Sequence, residues 1–381
     1  LMKNKFNEQC ITPGQIDLIS NARIFFRRFT GWLRAYILSR YTGVGTPEEI
    51  FGRIYLETSN FGDMIRFTLG FDDATGFTQH MNQIIVGLRD TIDAQLAGNS
   101  QAVQESVNRL YQSADDAAAF LASINPYFNE AEWKNLLRTY LQYTLEEANL
   151  FSSGQYKNEI ELVDRITGLT GQMGYSFAQA INDYITSDLQ TNPTQENVQC
   201  MTLEQVNEIY RIRTIWFTLT TWTRNFMLSK FKGIGDENDV HARLQQVPAE
   251  FVNALRQFFG NLPIFESYQQ ALNEYVDLLD SLTSAMMEGN TDVVNRIVQQ
   301  LYRDADKRAA AFASLNPTYW SQSELQTRLY NNIRTTIDEA SSFLEGDYVR
   351  NLAIYSTLLD QAESISGYIS DGLIDYLKAN S

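Results

Sequence analysis

Gln9-Cys10-Ile11-Thr12-Pro13-Gly14-Gln15, near the start of the chain, and Gln199-Cys200-Met201-Thr202-Leu203-Glu204-Gln205, past its middle, are one phrase written twice, 190 residues apart. The same register extends outward from both. Trp32, Arg34, Leu38 and Ser39 stand against Trp222, Arg224, Leu228 and Ser229. Gly43-Val44-Gly45 stands against Gly233-Ile234-Gly235, and Arg66 and Gly70 against Arg256 and Gly260. Farther on, the offset grows by a residue or two, as short loop insertions would make it. Gly98-Asn99 then meets Gly289-Asn290, Ala114-Asp115 meets Ala305-Asp306, and Ser123-Ile124-Asn125-Pro126 meets Ser314-Leu315-Asn316-Pro317. Glu147-Ala148 and Tyr156 meet Glu339-Ala340 and Tyr348. Chance does not hold a register over that length, so the reading is two copies of one unit of about 180 residues, an ordinary domain size. The expected division is a first repeat over 9–186, a linker over 187–198 that is polar and contains Pro193, and a second repeat over 199–378.

Inside each copy the pattern is helical. Thr12 with Gln15, and Thr202 with Gln205, have the spacing at which a hydroxyl and an amide satisfy the open N–H groups of a helix start. A long helix should follow each and stop at the Gly-x-Gly, since glycine takes the left-handed conformation that ends helices. Two short helices are expected between 47 and 70. Val103, Val107, Leu110, Ala114, Ala118 and Leu121 recur at spacings of three and four, as do Ile160, Val163, Ile166, Met173, Phe177 and Ile181. Gly98-Asn99, Asn125-Pro126 and Gly154 punctuate these later helices. Short connections between long helices favour antiparallel neighbours, so the expected fold class is all-α: two tandem homologous up-and-down helix bundles.

Composition narrows the function classes. With 381 residues and 44% hydrophobic content the chain can bury substantial cores, and a net charge of -16 gives the wrong sign for nucleic acid or anionic lipid. No apolar run reaches the length of a membrane span, and Leu1 to Cys10 hold no apolar stretch of the secretory kind, so the expectation is a soluble, cytoplasmic protein. Two cysteines and two histidines leave little for zinc or iron, and neither a cofactor nor a metal is called for.

Several residues could nevertheless carry chemistry. Gly43-Val44-Gly45 lacks the strand, third glycine and lysine of a phosphate cradle and reads as a helix stop. Gly168, Gly171 and Gly174 make a smooth strip on one helix, suited to close packing or to a ligand, and the second half has Asp360, Glu363 and Ser366 in their place. Glu146-Glu147 and Asp338-Glu339 could begin a di-iron site, but the Glu-x-x-His partner is missing. His80 and His241 do not occupy matching positions. Arg34 and Arg224, each two residues after Trp32 or Trp222, lie on largely apolar helices, where a guanidinium must snorkel, find an acid or bind an anion. These four residues are the candidate ligand-binding set. Asp115, Asp306, Glu147 and Glu339 are the candidate partners, and together with Asn125 and Asn316 they form the structural polar set. Cys10 and Cys200 could form a disulfide or thiol-mediated link between chains, or stay free thiols in a reducing cytosol.

At Trp222-Thr223-Arg224, Ala122-Ser123-Ile124-Asn125-Pro126-Tyr127, Glu132-Trp133 and Gly154-x-Tyr156, the chain resembles a family of small, uncharacterised helical proteins of Gram-positive bacteria, whose unit corresponds to one copy here. The resemblance implies the fold and no activity. Members with a single unit often carry histidines where this chain has Phe29 and Tyr140, and Leu219 and Asn332 in the second copy. The resulting expectation is a non-catalytic helical scaffold, assembly or interaction protein with protein partners or self-association. The alternative is a small-molecule binder with an apolar or anion-accepting pocket in each bundle.

Overall fold

The computed structural model describes residue 8, residues 10–187 and residues 200–380. It divides into two compact units, Leu1–Leu203 and Glu204–Ser381. The expected linker over 187–198 lies outside the described residues apart from Ser187, at the end of a helix. Among the described residues the structure is helical throughout, with no strand and one isolated bridge between Ile11 and Met201. No described helix is long and apolar enough to cross a membrane.

The first unit contains α1 (Pro13–Thr42), α2 (Pro47–Leu69), α3 (Phe71–Leu96), α4 (Ser100–Ile124), α5 (Glu130–Ser152) and α6 (Tyr156–Ser187). Each helix packs on the next, and α1 closes the series against α6 while also touching α3 and α5. Thr12 caps α1: its hydroxyl accepts from Gln15 N, and the Gln15 side chain accepts from Thr12 N at 2.9 Å. Pro13 fits there because the first helical N–H has no intrahelical partner to lose. Gly43, at φ 69°, ends the helix. Between Ala22 and Ser39 no residue of α1 is exposed, the pattern of a helix covered on every side. Its Phe25 stacks on Phe61 at 4.0 Å, and Phe177 of α6 reaches Phe61, Phe77 and Trp133 within 6 Å.

The crossing of α1 and α6 runs backbone against side chain. Arg23 Nε donates to Gly171 O at 3.1 Å, Arg27 Nη1 to Thr167 Oγ1 at 2.7 Å, and Gln15 Nε2 to Asn182 Oδ1 at 2.9 Å. A β-carbon added at Gly174 would lie 2.6 Å from Arg23 N and closer still to Arg23 Cα, whereas one at Gly168 meets nothing within 4 Å. Gly174→Ala should therefore force the helices apart and cost about 1–3 kcal/mol. Gly168→Ala, free of that contact, should stabilise by up to about 1 kcal/mol through helix propensity alone. Urea unfolding of the two variants checks this, and equal midpoints would refute it.

The second unit contains α7 (Leu203–Lys232), α8 (Glu237–Leu244), α9 (Val247–Phe259), α10 (Ile264–Met287), α11 (Thr291–Ala313), α12 (Gln322–Glu345) and α13 (Tyr348–Ala379). Two short helices were expected between 47 and 70, but there the first unit has one unbroken helix. The division occurs only in the second unit, between α8 and α9. Pro248, which cannot donate to the helical ladder, sits at the start of α9, while the matching place in the first unit holds Thr58, whose hydroxyl donates to Tyr55 O and Asn82 Oδ1.

Ahead of α1, Cys10 and Cys200 form a disulfide that spans a sequence separation of 190 residues. Two backbone hydrogen bonds between Ile11 and Met201, at 2.7 and 3.0 Å, and one from Leu203 N to Glu8 O at 2.7 Å flank it. Ile11 and Met201 are buried and Cys200 is exposed. Residues 200–203 therefore belong with the first unit.

Candidate functional site

Each unit holds a buried arginine paired with polar side chains from neighbouring helices. In the first unit Arg34, in the C-terminal third of α1, meets Glu147 from α5 and Glu159 from the first turn of α6. Its Nη1 donates to Glu147 Oε1 at 2.8 Å and to Glu159 Oε1, and Nη2 donates to Glu159 Oε2 at 3.3 Å. All three side chains are buried. Burial pushes the Glu147 carboxyl above its ordinary value, with the Arg34 charge and hydrogen bond pulling the other way. Two carboxylates share one guanidinium here.

In the second unit Arg224 of α7 meets Glu339 of α12 and Asn351 of α13. Its Nη1 donates to Glu339 Oε1 and Asn351 Oδ1, both at 2.6 Å. The Asn351 amide donates in turn to Ser342 Oγ at 2.9 Å. The guanidinium lies between Phe343 and Tyr355, 4.8 and 4.5 Å from their ring centres. Burial also raises the Glu339 carboxyl, against the pull of Arg224.

The tryptophans serve the walls. Trp32 Nε1 donates to Glu57 Oε1 at 3.1 Å, and the same carboxylate accepts from Arg28 Nε. Trp222 carries the Arg243 guanidinium over its ring at 5.8 Å. Asp115 lies away from Arg34 and is held by Arg138 and Lys134 at 2.6 and 2.8 Å. The Arg138 hydrogen bond, outweighing the opposing effect of burial and aided by Lys134, brings the Asp115 carboxyl down to about 2. Asp306 accepts from Gln326 Nε2 at 2.8 Å and from the Tyr330 hydroxyl at 2.5 Å. The two asparagines fasten loops to the last helices: Asn125 Nδ2 donates to Ala180 O at 3.0 Å, and Asn316 Nδ2 to Gly372 O at 2.9 Å. Each holds the chain where a proline interrupts it.

Phe29 and Tyr140 face each other at 6.4 Å between ring centres, and the Tyr140 hydroxyl lies 2.9 Å from Thr30 Oγ1. Leu219 lines a small apolar cavity with Trp216, Phe251, Leu272 and Tyr275. Its volume of about 20 Å³ has room for little more than one water. Asn332 is separately engaged with Gln361, at 3.3 Å.

Two partners of the central arginines, and a third feature, escaped the sequence reading. Glu159 and Asn351 occupy matching places at the start of the last helix, but an acid in one half and an amide in the other leave no shared letter to notice. The third is a buried pair within α11, where Arg308 Nε donates to Asp304 Oδ2 at 2.6 Å beneath the Tyr275 ring. Its Asp–Arg spacing of four residues on an apolar helix face was the available signal. Among the described residues no group of three or more His, Cys, Asp or Glu side chains is arranged to hold a metal ion. Compared with known proteins, the chain matches no family model, no curated protein and no solved structure.

Proposed function

We propose that this chain is a tandem of two homologous helix bundles that acts through its outer surfaces, as an assembly or interaction protein, and that Arg34 and Arg224 are internal braces of those bundles. One observation carries this reading: the guanidiniums that could have anchored an anionic ligand are held by acids and an amide from neighbouring helices of their own unit. The duplication is supported by contacts that recur at matching places. Arg34–Glu147 parallels Arg224–Glu339, and Asn125 on Ala180 O parallels Asn316 on Gly372 O. Gly43, Gly98 and Gly154 turn with nearly the same φ as Gly233, Gly289 and Gly346. The likeness to the small helical family of Gram-positive bacteria fits one bundle per repeat.

The disulfide bears on location. A bond between Cys10 and the exposed Cys200 persists in an oxidising compartment and is lost to cytosolic thiols, so it favours export over the cytoplasmic placement. Native mass spectrometry of the protein taken from its own host, with thiols trapped during lysis, tests both parts. The expected result is the chain alone or with protein subunits, its two cysteines unlabelled. A stoichiometric small molecule would overturn the surface reading, and full labelling of both cysteines would overturn the location.

A further inference from the structure

The outward face of α2 carries apolar side chains that the fold does not need. Leu56 is 49% exposed, Met64 37%, Phe67 87%, and Phe71, just past the turn at Gly70, 66%. Leu56 and Phe67 are eleven residues apart, three full helical turns, so they share one line along α2 roughly 16 Å long. Gly70, at φ 91°, ends α2, and Phe71 opens α3 directly after it. In the second half Arg256 and Gly260 match Arg66 and Gly70 in sequence, although the helix there is divided before Val247 and the next begins only at Ile264. There Gln246, Gln257 and Asn261 stand where the first half has Leu56, Phe67 and Phe71. Exposed apolar side chains grouped on one helix face are the usual mark of a docking surface.

The charges around the strip select its occupant. Glu49 lies on the same face of α2 near its start, Asp63 lies between Leu56 and Phe67, and Asp72 and Asp73 open α3 beside Phe71. Asp63 is shared with Arg66, whose guanidinium also lies 5.4 Å from the Phe67 ring centre. Glu49, Asp72 and Asp73 form no ion pair among the described residues. Four acids outnumber the two nearby cations, Arg53 and Arg66, on a chain whose net charge is -16. A second copy would bring the same negative field, and anionic lipid would be repelled.

We propose that this face docks a basic amphipathic helix of about three turns, its apolar side on Leu56, Met64, Phe67 and Phe71 and its lysines or arginines toward Glu49, Asp63, Asp72 and Asp73. The inference deepens the interaction reading above by naming the class of partner, and it rests on that reading. Its test is fluorescence anisotropy with a labelled 14-residue leucine/lysine amphipathic peptide, a leucine/glutamate peptide of the same pattern and a serine/lysine peptide of the same charge. The proteins are the full chain and its Phe67→Gln/Phe71→Asn variant, which carries the side chains that the second half already tolerates. The expected result is leucine/lysine binding at least tenfold tighter to the parent than to the variant, and at least tenfold tighter than either control peptide to the parent. Asp72→Asn/Asp73→Asn should weaken it severalfold and flatten its salt dependence. Circular dichroism melts establish that the variants are folded, and Phe67→Gln alone substitutes if the double change unfolds. Equal affinity for parent and variant, or for the acidic peptide, overturns the proposal. So does loss in the variant of self-association in sedimentation, or of binding to neutral phosphatidylcholine vesicles, since either would identify a different occupant. A failed peptide titration alongside a stoichiometric protein partner in the native mass spectrum would remove this site and leave the broader reading standing.

Discussion

Arg34→Met should destabilise the first unit by about 3–5 kcal/mol at pH 8, the usual result of removing one member of a buried ion pair. The change leaves Glu147 and Glu159 facing each other in the interior with no cation between them. Arg224→Met should cost less, because it leaves only Glu339 beside the neutral Asn351 amide. Both penalties should shrink as the pH falls. The Glu147 and Glu339 carboxyls are raised in the folded protein by burial. Their contribution to stability is therefore fully present below the unfolded value near 4.5 and is lost as the pH rises through the folded value. Removing the arginine takes away the influence that had opposed the rise, so the folded value climbs further and the loss deepens with pH. Hydrogen exchange read peptide by peptide at pH 5.5 and pH 8 separates the two units. The account fails if Arg34→Met is the milder change, or if either penalty grows toward acid.

Breaking the Cys10–Cys200 bond should have an effect of similar size on the first unit. Chain entropy for a loop of 190 residues gives about 5 kcal/mol as an upper figure, and measured disulfides commonly give about 2–4 kcal/mol. Cys10→Ser/Cys200→Ser should therefore lower the melting temperature of that unit by on the order of 10 °C. Reductant should do the same to the parent and nothing to the variant. A shift of under about 2 °C in the variant would show that the bond adds nothing to what helix packing supplies.

Much of the helical framework was legible because its signals are local. The α1 start at Thr12 and Pro13 and its end at Gly43 are set by caps whose partners lie within four residues. The division expected between 47 and 70 is absent there and occurs instead around residue 247, because the proline at the start of α9 is present only in the second half. The interior was harder for a different reason. A buried arginine announces its need for an acid, but Asp115 and Glu147 are equally eligible on paper, and only packing brings α5 and α6 to Arg34. Glu159 was hidden further by its exchange for asparagine in the other half. The cysteines were ambiguous in the plainest sense: a separation of 190 residues carries no information about distance in space. Exposure has the same character: nothing in the sequence marks Leu56, Met64, Phe67 and Phe71 as the side chains that packing leaves uncovered.

The sulfur–sulfur bond also decides how the chain carries mechanical load. Tension applied between the two ends would pass from Cys10 directly to Cys200, so the six helices between them lie off the load path and stay folded while the rest of the molecule is stretched. Cutting that shortcut with a thiol would place the whole bundle in line with the force. The first unit would then become a length reserve, its contour released only in a reducing environment.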